Sequence, residues 1–369
     1  MPFVALGGFL LQGLIYPILG PALPTLSTQF HLKATGASAL LSANSAGAVL
    51  GVVLAGVVLK RLRFQRQCLV AVCLIILGCL GLVTAPDFAL TLMASALLGL
   101  GFGMLDLALN VWVSSSYGAS SAAMLNLLSA SFGVGAVLAP LFVGLSNGNF
   151  RLPLLGCASL AALVFVGLLF TPSKPQLQDE VTVPGKARSH WVLAGFILLF
   201  LAYVTVEGGV GSWEVSHLRD TLGVNTATAA KISAWFWVSF TLGRLVSAPL
   251  ALRVPPARLI PYALLLAALC LAAASIAPAA PVAYALTGLF LAPVFTTGLV
   301  WLTRAVPGGA APTLVFAGAF VGPVLFSPVI GAARDAFGPS AIPLTLMAVA
   351  LLALTIALGL GQGLRGAAA

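Results

Sequence analysis

The sequence predicts an all-α polytopic membrane protein with twelve transmembrane helices in two pseudo-symmetric six-helix bundles. Three observations carry this. Hydrophobic residues make up 60% of the 369 positions and charged residues only 7%, with a mean hydropathy of +1.12. A soluble domain carries roughly 25% charged residues and needs them to cover its surface. Apolar runs of about 20 residues, each long enough to cross a bilayer, recur from end to end between short polar breaks. The one long interior break divides these runs six and six.

Taken in order, the spans fall at 3–26, 36–59, 67–85, 88–114, 121–145, 151–170, 191–216, 226–250, 258–277, 281–304, 311–332 and 341–362. The first run has no basic leader and reads as an ordinary span, not a cleaved signal. The domain division is an N-terminal bundle at 1–170, a linker at 171–190 and a C-terminal bundle at 191–369. The linker holds Pro172, Pro175 and Pro184 among Lys174, Asp179, Glu180, Lys186 and Arg188, the composition of a solvated segment.

Seventeen basic residues against eight acidic ones give +9. This excess does not point to nucleic acid, because it sits in loops and orients the chain. Lys60, Arg61, Arg63, Arg66, Lys174, Lys186, Arg188, Arg253, Arg258, Arg304 and Arg365 fall on one side. Lys33, Arg151, Arg219 and Arg334 fall on the other. The positive-inside rule then places both termini and the linker in the cytoplasm. A shift of 192 positions lays Gly51 on Gly243, Arg61 on Arg253 and Arg66 on Arg258. A duplicated six-span unit is the construction of two-bundle carriers.

Spans three, six, nine and twelve are nearly free of strong hydrogen-bonding groups. Gln12, Tyr16, Asn44, Asp106, Asn110, Asn126, Ser129, Glu207, Trp235 and Arg244 lie in the others. Polar groups are costly in hydrocarbon, so those helices are expected to line the interior and every third helix to face lipid. Cys68, Cys73, Cys79, Cys157 and Cys270 lie singly within spans and read as small hydrophobes, with no metal or disulfide spacing.

Three charges stand out well inside spans: Asp106, Glu207 and Arg244. Each costs about 2.5–3.5 kcal/mol at a helix centre on insertion scales, which argues for a function. Gly99, Gly103, Asp106 and Asn110 share one helix face; the glycines read as a packing surface, and the two polar residues as an acceptor and a donor. Phe196, Phe200, Tyr203 and Glu207 form another face, followed by Gly208, Gly209 and Gly211, where the helix is weakened and a gate is able to bend. An aromatic face ending in a carboxylate suits a polar ligand with an apolar side; core packing of the same rings is the alternative. Protonation of Asp106 or Glu207 removes a charge that opposes conformational change, so either is a candidate coupling site. Arg244 is expected to pair with an acid or hold a gate. Gly144-Leu-Ser146-Asn-Gly148 copies a serine-nucleophile spacing but leaves a helix with no strand before it, and reads as a turn. His31, His190 and His217 fall in loops or at span ends.

Four stretches stand out together: Gly101-Phe-Gly-Met-Leu-Asp106-Leu-Ala-Leu-Asn110, Leu125-Asn126 through Phe132-Gly133-Val-Gly135-Ala136, Tyr203-Val-Thr-Val-Glu207 with Trp213, and Phe236-Trp237 with Gly243-Arg244. They resemble the major facilitator superfamily, and within it the branch of fucose, glucose and galactose permeases. The resemblance covers essentially the whole chain. It implies alternating access between two bundles and a central site, with proton- or sodium-coupled uptake of a small polar solute of the sugar class. On it, Asp106 and Glu207 match the span-four and span-seven acids, with Asn44, Asn110, Asn126, Tyr203 and Trp237 as further binding candidates. Arg61, Arg244, Gly208 and Gly209 are the gating or structural candidates. The chain departs from the pattern where Gly56 is followed by Lys60 and not an Asp, where span one lacks a carboxylate, and where Ser129 replaces a histidine. Export of drugs or metabolites is the second reading, and a membrane-embedded enzyme or lipid-handling protein the third. The expected partners are the solute and the bilayer, with no nucleic acid and no cofactor besides a coupling H+ or Na+. A monomer in a bacterial inner membrane completes the expectation.

Overall fold

A computed structural model describes residues 2–58, 62–116, 121–171, 190–306 and 311–366. Among them are thirteen α-helices and no strand. The first half holds α1 (Pro2–Ile15), α2 (Leu19–Gln29), α3 (Ala34–Val53, continued by a π-helical turn at Leu54–Val58), α4 (Phe64–Thr84), α5 (Phe88–Ser116), α6 (Ser121–Leu145) and α7 (Arg151–Leu169). The second holds α8 (His190–Leu222), α9 (Thr226–Arg253), α10 (Pro256–Ala274), a 3-10 turn at Ala277–Ala279, α11 (Ala280–Ala305), α12 (Ala311–Phe337) and α13 (Ala341–Gly366).

The first span is not one rod. It breaks between α1 and α2 with a bend of 42°. Pro17 has no N–H to give to the carbonyl of Gly13, so the helical ladder is interrupted beside Tyr16. With this pair counted once, twelve spans follow, an even number, so α1 begins and α13 ends on one face. Ten helices are long and apolar enough to cross a bilayer alone, and the bent pair makes an eleventh. The twelfth, α9, has the length, at 28 residues, but its Lys231, Arg244 and Arg253 lower its hydropathy. Arg244, the charge deepest in α9, is half-buried where α9 packs on α6, α8 and α11, which shields it from lipid; Lys231 and Arg253 are exposed toward the two ends of the helix.

The internal duplication is visible in the packing. Spans two and four (α3, α5), three and four (α4, α5), three and six (α4, α7), one and five (α1, α6) and one and six (α1, α7) are paired in the first half. The same pairs recur in the second half as α9–α11, α10–α11, α10–α13, α8–α12 and α8–α13. The 192-residue shift operates at atomic detail. A Cβ on Gly51 would lie 2.2 Å from the carbonyl oxygen of Leu100; one on Gly243 would lie 2.7 Å from the Cβ of Ala292, the position equivalent to Leu100.

The halves meet chiefly through α3–α12, α6–α9 and α2–α8, whereas α4, α7, α10 and α13 pack within their own half. The polar-poor third helices are thus the outer ones. The individual side chains refine this: Trp235, expected inside, is 61% exposed on the lipid-facing side of α9, and Trp237 is the buried one. The Gly144–Gly148 stretch is the tight turn between α6 and α7, with Asn147 and Gly148 both at positive φ (54° and 80°). All five cysteines are free; Cys68, Cys79 and Cys157 are buried, and Cys73 is exposed. The expected linker at 171–190 and Arg61 lie, but for its two end residues Thr171 and His190, outside the described residues.

Candidate functional site: a central chamber

The break in the first span turns Tyr16 into the middle of the protein. Its ring stacks on Phe102 of α5 (centroids 5.7 Å) and meets Trp237 of α9 edge-on at 5.7 Å. Phe102 in turn meets Phe320 of α12 edge-on at 6.0 Å. Tyr16, Phe102, Val204 and Phe320 therefore make a partition with a cavity on each side.

On the side toward the termini, a chamber of about 140 Å³ is walled by aromatic rings, among them Phe9, Phe132, Phe295 and Phe316. Its polar groups are Asp106 and Asn110 of α5, Ser129 of α6, Glu207 of α8 and Arg244 of α9. Asp106 is half-buried. Its Oδ1 accepts from Asn110 Nδ2 at 3.1 Å and from Gln12 Nε2 at 3.5 Å, so neutral amides hold it. Glu207 is 6% exposed, and the charge set against it is Arg244. Arg244 itself lies 4.5 Å above the Phe240 ring, with its Nε free of a hydrogen bond. A cation over an aromatic face keeps its charge available to a nearby anion. Through Ser129 and Arg244 this chamber adjoins a third cavity, which reaches Thr297, Val300 and Arg304 near the termini face.

On the other side of the partition, a small cavity of about 50 Å³ is lined by Asn44, Ser45, Gly208, Gly209, Ser212, Trp237 and Ser327. It is shut off from the far face. Gly20 of α2 crosses Gly211 of α8 so closely that a Cβ on Gly20 would lie 2.0 Å from the Gly211 oxygen. Asp335 at the end of α12 accepts the backbone N–H groups of Ala34 (3.0 Å) and Thr35 (2.9 Å), the first residues of α3, and the Thr35 hydroxyl. A carboxylate at a helix N-terminus satisfies unpaired donors and meets the positive end of the dipole. Ser42 donates to the carbonyl of Val324 at 3.1 Å, adding a second link between the halves.

The sequence candidates are thus distributed over two compartments. Asp106, Asn110, Glu207 and Arg244 share the chamber. Asn44, Trp237, Gly208 and Gly209 belong to the cavity beyond the partition, where Asn44 donates to Ser95 of α5 at 3.0 Å. Tyr203 stands behind Glu207, fully buried, and with Phe200 it packs on Phe295 of α11. Phe196 packs on Trp301 in the same way, so core packing accounts for those three rings. Gly99 and Gly103 press on Asn44 and Ala48 of α3, the packing role expected of them. The helix α8 runs unbroken through Gly208, Gly209 and Gly211; in this conformation the three admit Tyr16, Leu346 and Trp237. The side chain of Asn126 and the whole of Arg61 lie outside the described residues.

Sequence reasoning missed the partition, and it missed a second acid on α8. Tyr16 was legible as a polar residue in a span, but the bend that aims it inward had only Pro17 as its signal. Glu214 is 1% exposed, seven residues beyond Glu207.

A family model described as Major Facilitator Superfamily matches residues 5–312. The chain belongs to the major facilitator superfamily. As a superfamily member it is a multi-pass membrane transporter and not an enzyme. The sodium-dependent glucose transporter 1A of Mus musculus is 23% identical over 373 residues, covering 88% of this chain and 87% of that protein. The glucose/galactose transporter of Brucella abortus is 27% identical over 265 residues, 65% of this chain and 64% of that one. Among solved structures, a D-xylose-proton symporter superposes with a TM-score of 0.80 over 96% of both chains at 15% identity. That likeness shows the superfamily fold.

Proposed function

We propose that this transporter moves a small polar solute of the sugar class by alternating access, coupled to H+ or Na+. The observation that carries the reading is one chamber in which Asp106, Asn110, Glu207 and Arg244 face aromatic walls, with a route toward the termini face and a shut far face. Sugars have hydroxyls for the acids, amide and guanidinium, and an apolar ring face for the phenylalanines. The glucose and galactose named for the two relatives support the class. Sodium in the name of one relative, and the proton in the name of the solved symporter, support coupling to a monovalent cation.

In this reading the structure is the inward-facing state, with the termini in the cytoplasm as the basic residues indicate. The halves 1–170 and 191–369 rock as units of one monomer, across the α3–α12 and α6–α9 contacts. Solute bound in the chamber draws Tyr16 and Phe102 with it, and the partition yields as the far face parts. Glu207 and Asp106 take the coupling ion, whose positive charge offsets theirs during the passage.

Uptake of a panel of labelled hexoses and pentoses into proteoliposomes, under a pH gradient, a sodium gradient or neither, tests this. Accumulation of one sugar above equilibrium under one gradient is the expected result. Gradient-driven movement of cationic dyes with no sugar uptake would replace it with export.

A further inference from the structure

Glu214 lies on the same face of α8 as Glu207, two turns or about 10 Å nearer the far face. Glu207, Val210, Glu214 and His217 follow one another at spacings of three and four, and all are buried. Neither carboxyl oxygen of Glu214 has a hydrogen-bond partner. His217, 0% exposed, sits one turn further on. Its Nδ1 is 3.1 Å from the hydroxyl of Tyr284 on α11, and its Nε2 is unpartnered. The indole Nε1 of the adjoining Trp213 is unpartnered as well. Four polar atoms on one helix thus stand buried outside the transport chamber, with nothing among the described residues to satisfy them.

Among the described residues no cation forms an ion pair with Glu214. Arg219 and Arg334 are both engaged by Asp220, and Arg334 also lies 3.7 Å from Asp335. Lys231 of α9 lies along Gly144 of α6, and Arg244 is down in the chamber. From α11 the titratable group that faces the pair is Tyr284. The helix α2 and the turn at 277–279 carry no charged residue; the charged residues of α10 and α13, Arg258 and Arg365, lie at the opposite face. An ionised carboxylate left alone in such a place costs several kcal/mol. One positive charge removes that cost, and the surroundings supply a histidine nitrogen and a phenol to share its coordination.

We propose that Glu214, His217 and Tyr284 form a second binding site, for a single monovalent cation, H+ or Na+, loaded from the far face. Toward the far face stand the Arg219–Asp220–Arg334 network and the Asp335 contact with α3, so an ion entering there meets Glu214 before Glu207. The site stands on its own geometry; its part in transport rests on the ion-coupled reading above.

The test is charge movement in solute-free proteoliposomes on a solid-supported membrane, after a jump in pH at constant sodium or in sodium at constant pH. Wild type is expected to give a transient in one of the two arms, which identifies the ion. Glu214→Gln, nearly equal in shape, is expected to reduce that transient about tenfold, the loss of some 1.4 kcal/mol or more of ion binding. Glu207→Gln leaves a clear remainder. Tyr284→Phe, a milder change, raises the half-saturating ion concentration while leaving the maximum in place, and guards against misfolding of the first variant. A full transient in Glu214→Gln that vanishes in Glu207→Gln overturns this inference and leaves coupling at the chamber standing. A transient lost in Glu214→Gln but whole in Glu207→Gln and Asp106→Asn supports the site and removes coupling from the chamber. Wild type silent in both arms overturns the site.

Discussion

The two halves share a packing plan but divide the chemistry unequally. Around the chamber the first half offers neutral groups, Gln12 and Asn110, with one acid that those amides hold. The second half brings Glu207 and Arg244, and beyond them Glu214 and the Arg219–Asp220–Arg334 network. The far face repeats the division: the first half presents the backbone amides of Ala34 and Thr35, and the second presents the Asp335 carboxylate. Duplication therefore preserved the frame and not the charges. The first half is chiefly a hydrogen-bonding surface around the chamber, and the second half holds most of the interior charge.

Substitutions that make the halves more alike are the way to break this comparison. The largest effect is expected at the Glu207–Arg244 pair. Arg244→Ala leaves the buried Glu207 carboxylate without the positive charge set against it, and an uncompensated charge within a span is costly. Gradient-driven uptake should become undetectable, and Arg244→Ala with Glu207→Gln should be less damaged in thermal stability than Arg244→Ala alone. A double variant as unstable as the sum of the two singles means that the groups are not coupled. Asp106→Asn comes next. Its partners are amides that can pair with an amide as well as with a carboxylate, so folding is retained and uptake falls by about tenfold, or 1.4 kcal/mol; a loss as complete as that of Arg244→Ala would erase the contrast. The smallest of the three is Asp335→Asn. A carboxylate at a helix N-terminus is worth about 0.3–2 kcal/mol. Its removal should raise labelling of a cysteine placed at Ser212 by membrane-impermeant maleimide from the far face by a few fold, without loss of expression.

How far the sequence carried these conclusions depends on what each rests on. Hydropathy and loop charge revealed the twelve spans because the bilayer imposes one length and one polarity on every helix. Duplication was legible at Gly51 and Gly243 because close helix contact forbids a side chain there. Asp106, Glu207 and Arg244 were legible because a charge in hydrocarbon is rare. Glu214 and His217 were not, because α8 continues to Leu222, six residues past the expected end of its span, and both looked like residues at the membrane edge. Their burial comes from the helices packed around α8, with Tyr284 of α11 against His217, a tertiary fact with no local pattern. Trp235 and Trp237 differ by 200° around a helix, and nothing in their neighbourhood fixes which of them turns inward. The partition needed the bend at Pro17, which sets the direction of Tyr16 without any change in composition.

The crossing of Gly20 and Gly211 has a practical use. Two main chains in contact form a joint with no side chain to unlock, so its closure is decided by clearance alone. One methyl group at Gly20, placed 2.0 Å from an oxygen, acts as a wedge. Gly20→Ala is expected to hold the far face ajar, read out as a bimane fluorophore at Ser45 becoming quenchable by iodide from that side. A single-carbon edit would thus supply a reagent for trapping the outward form, with the whole of the solute chamber left as nature built it.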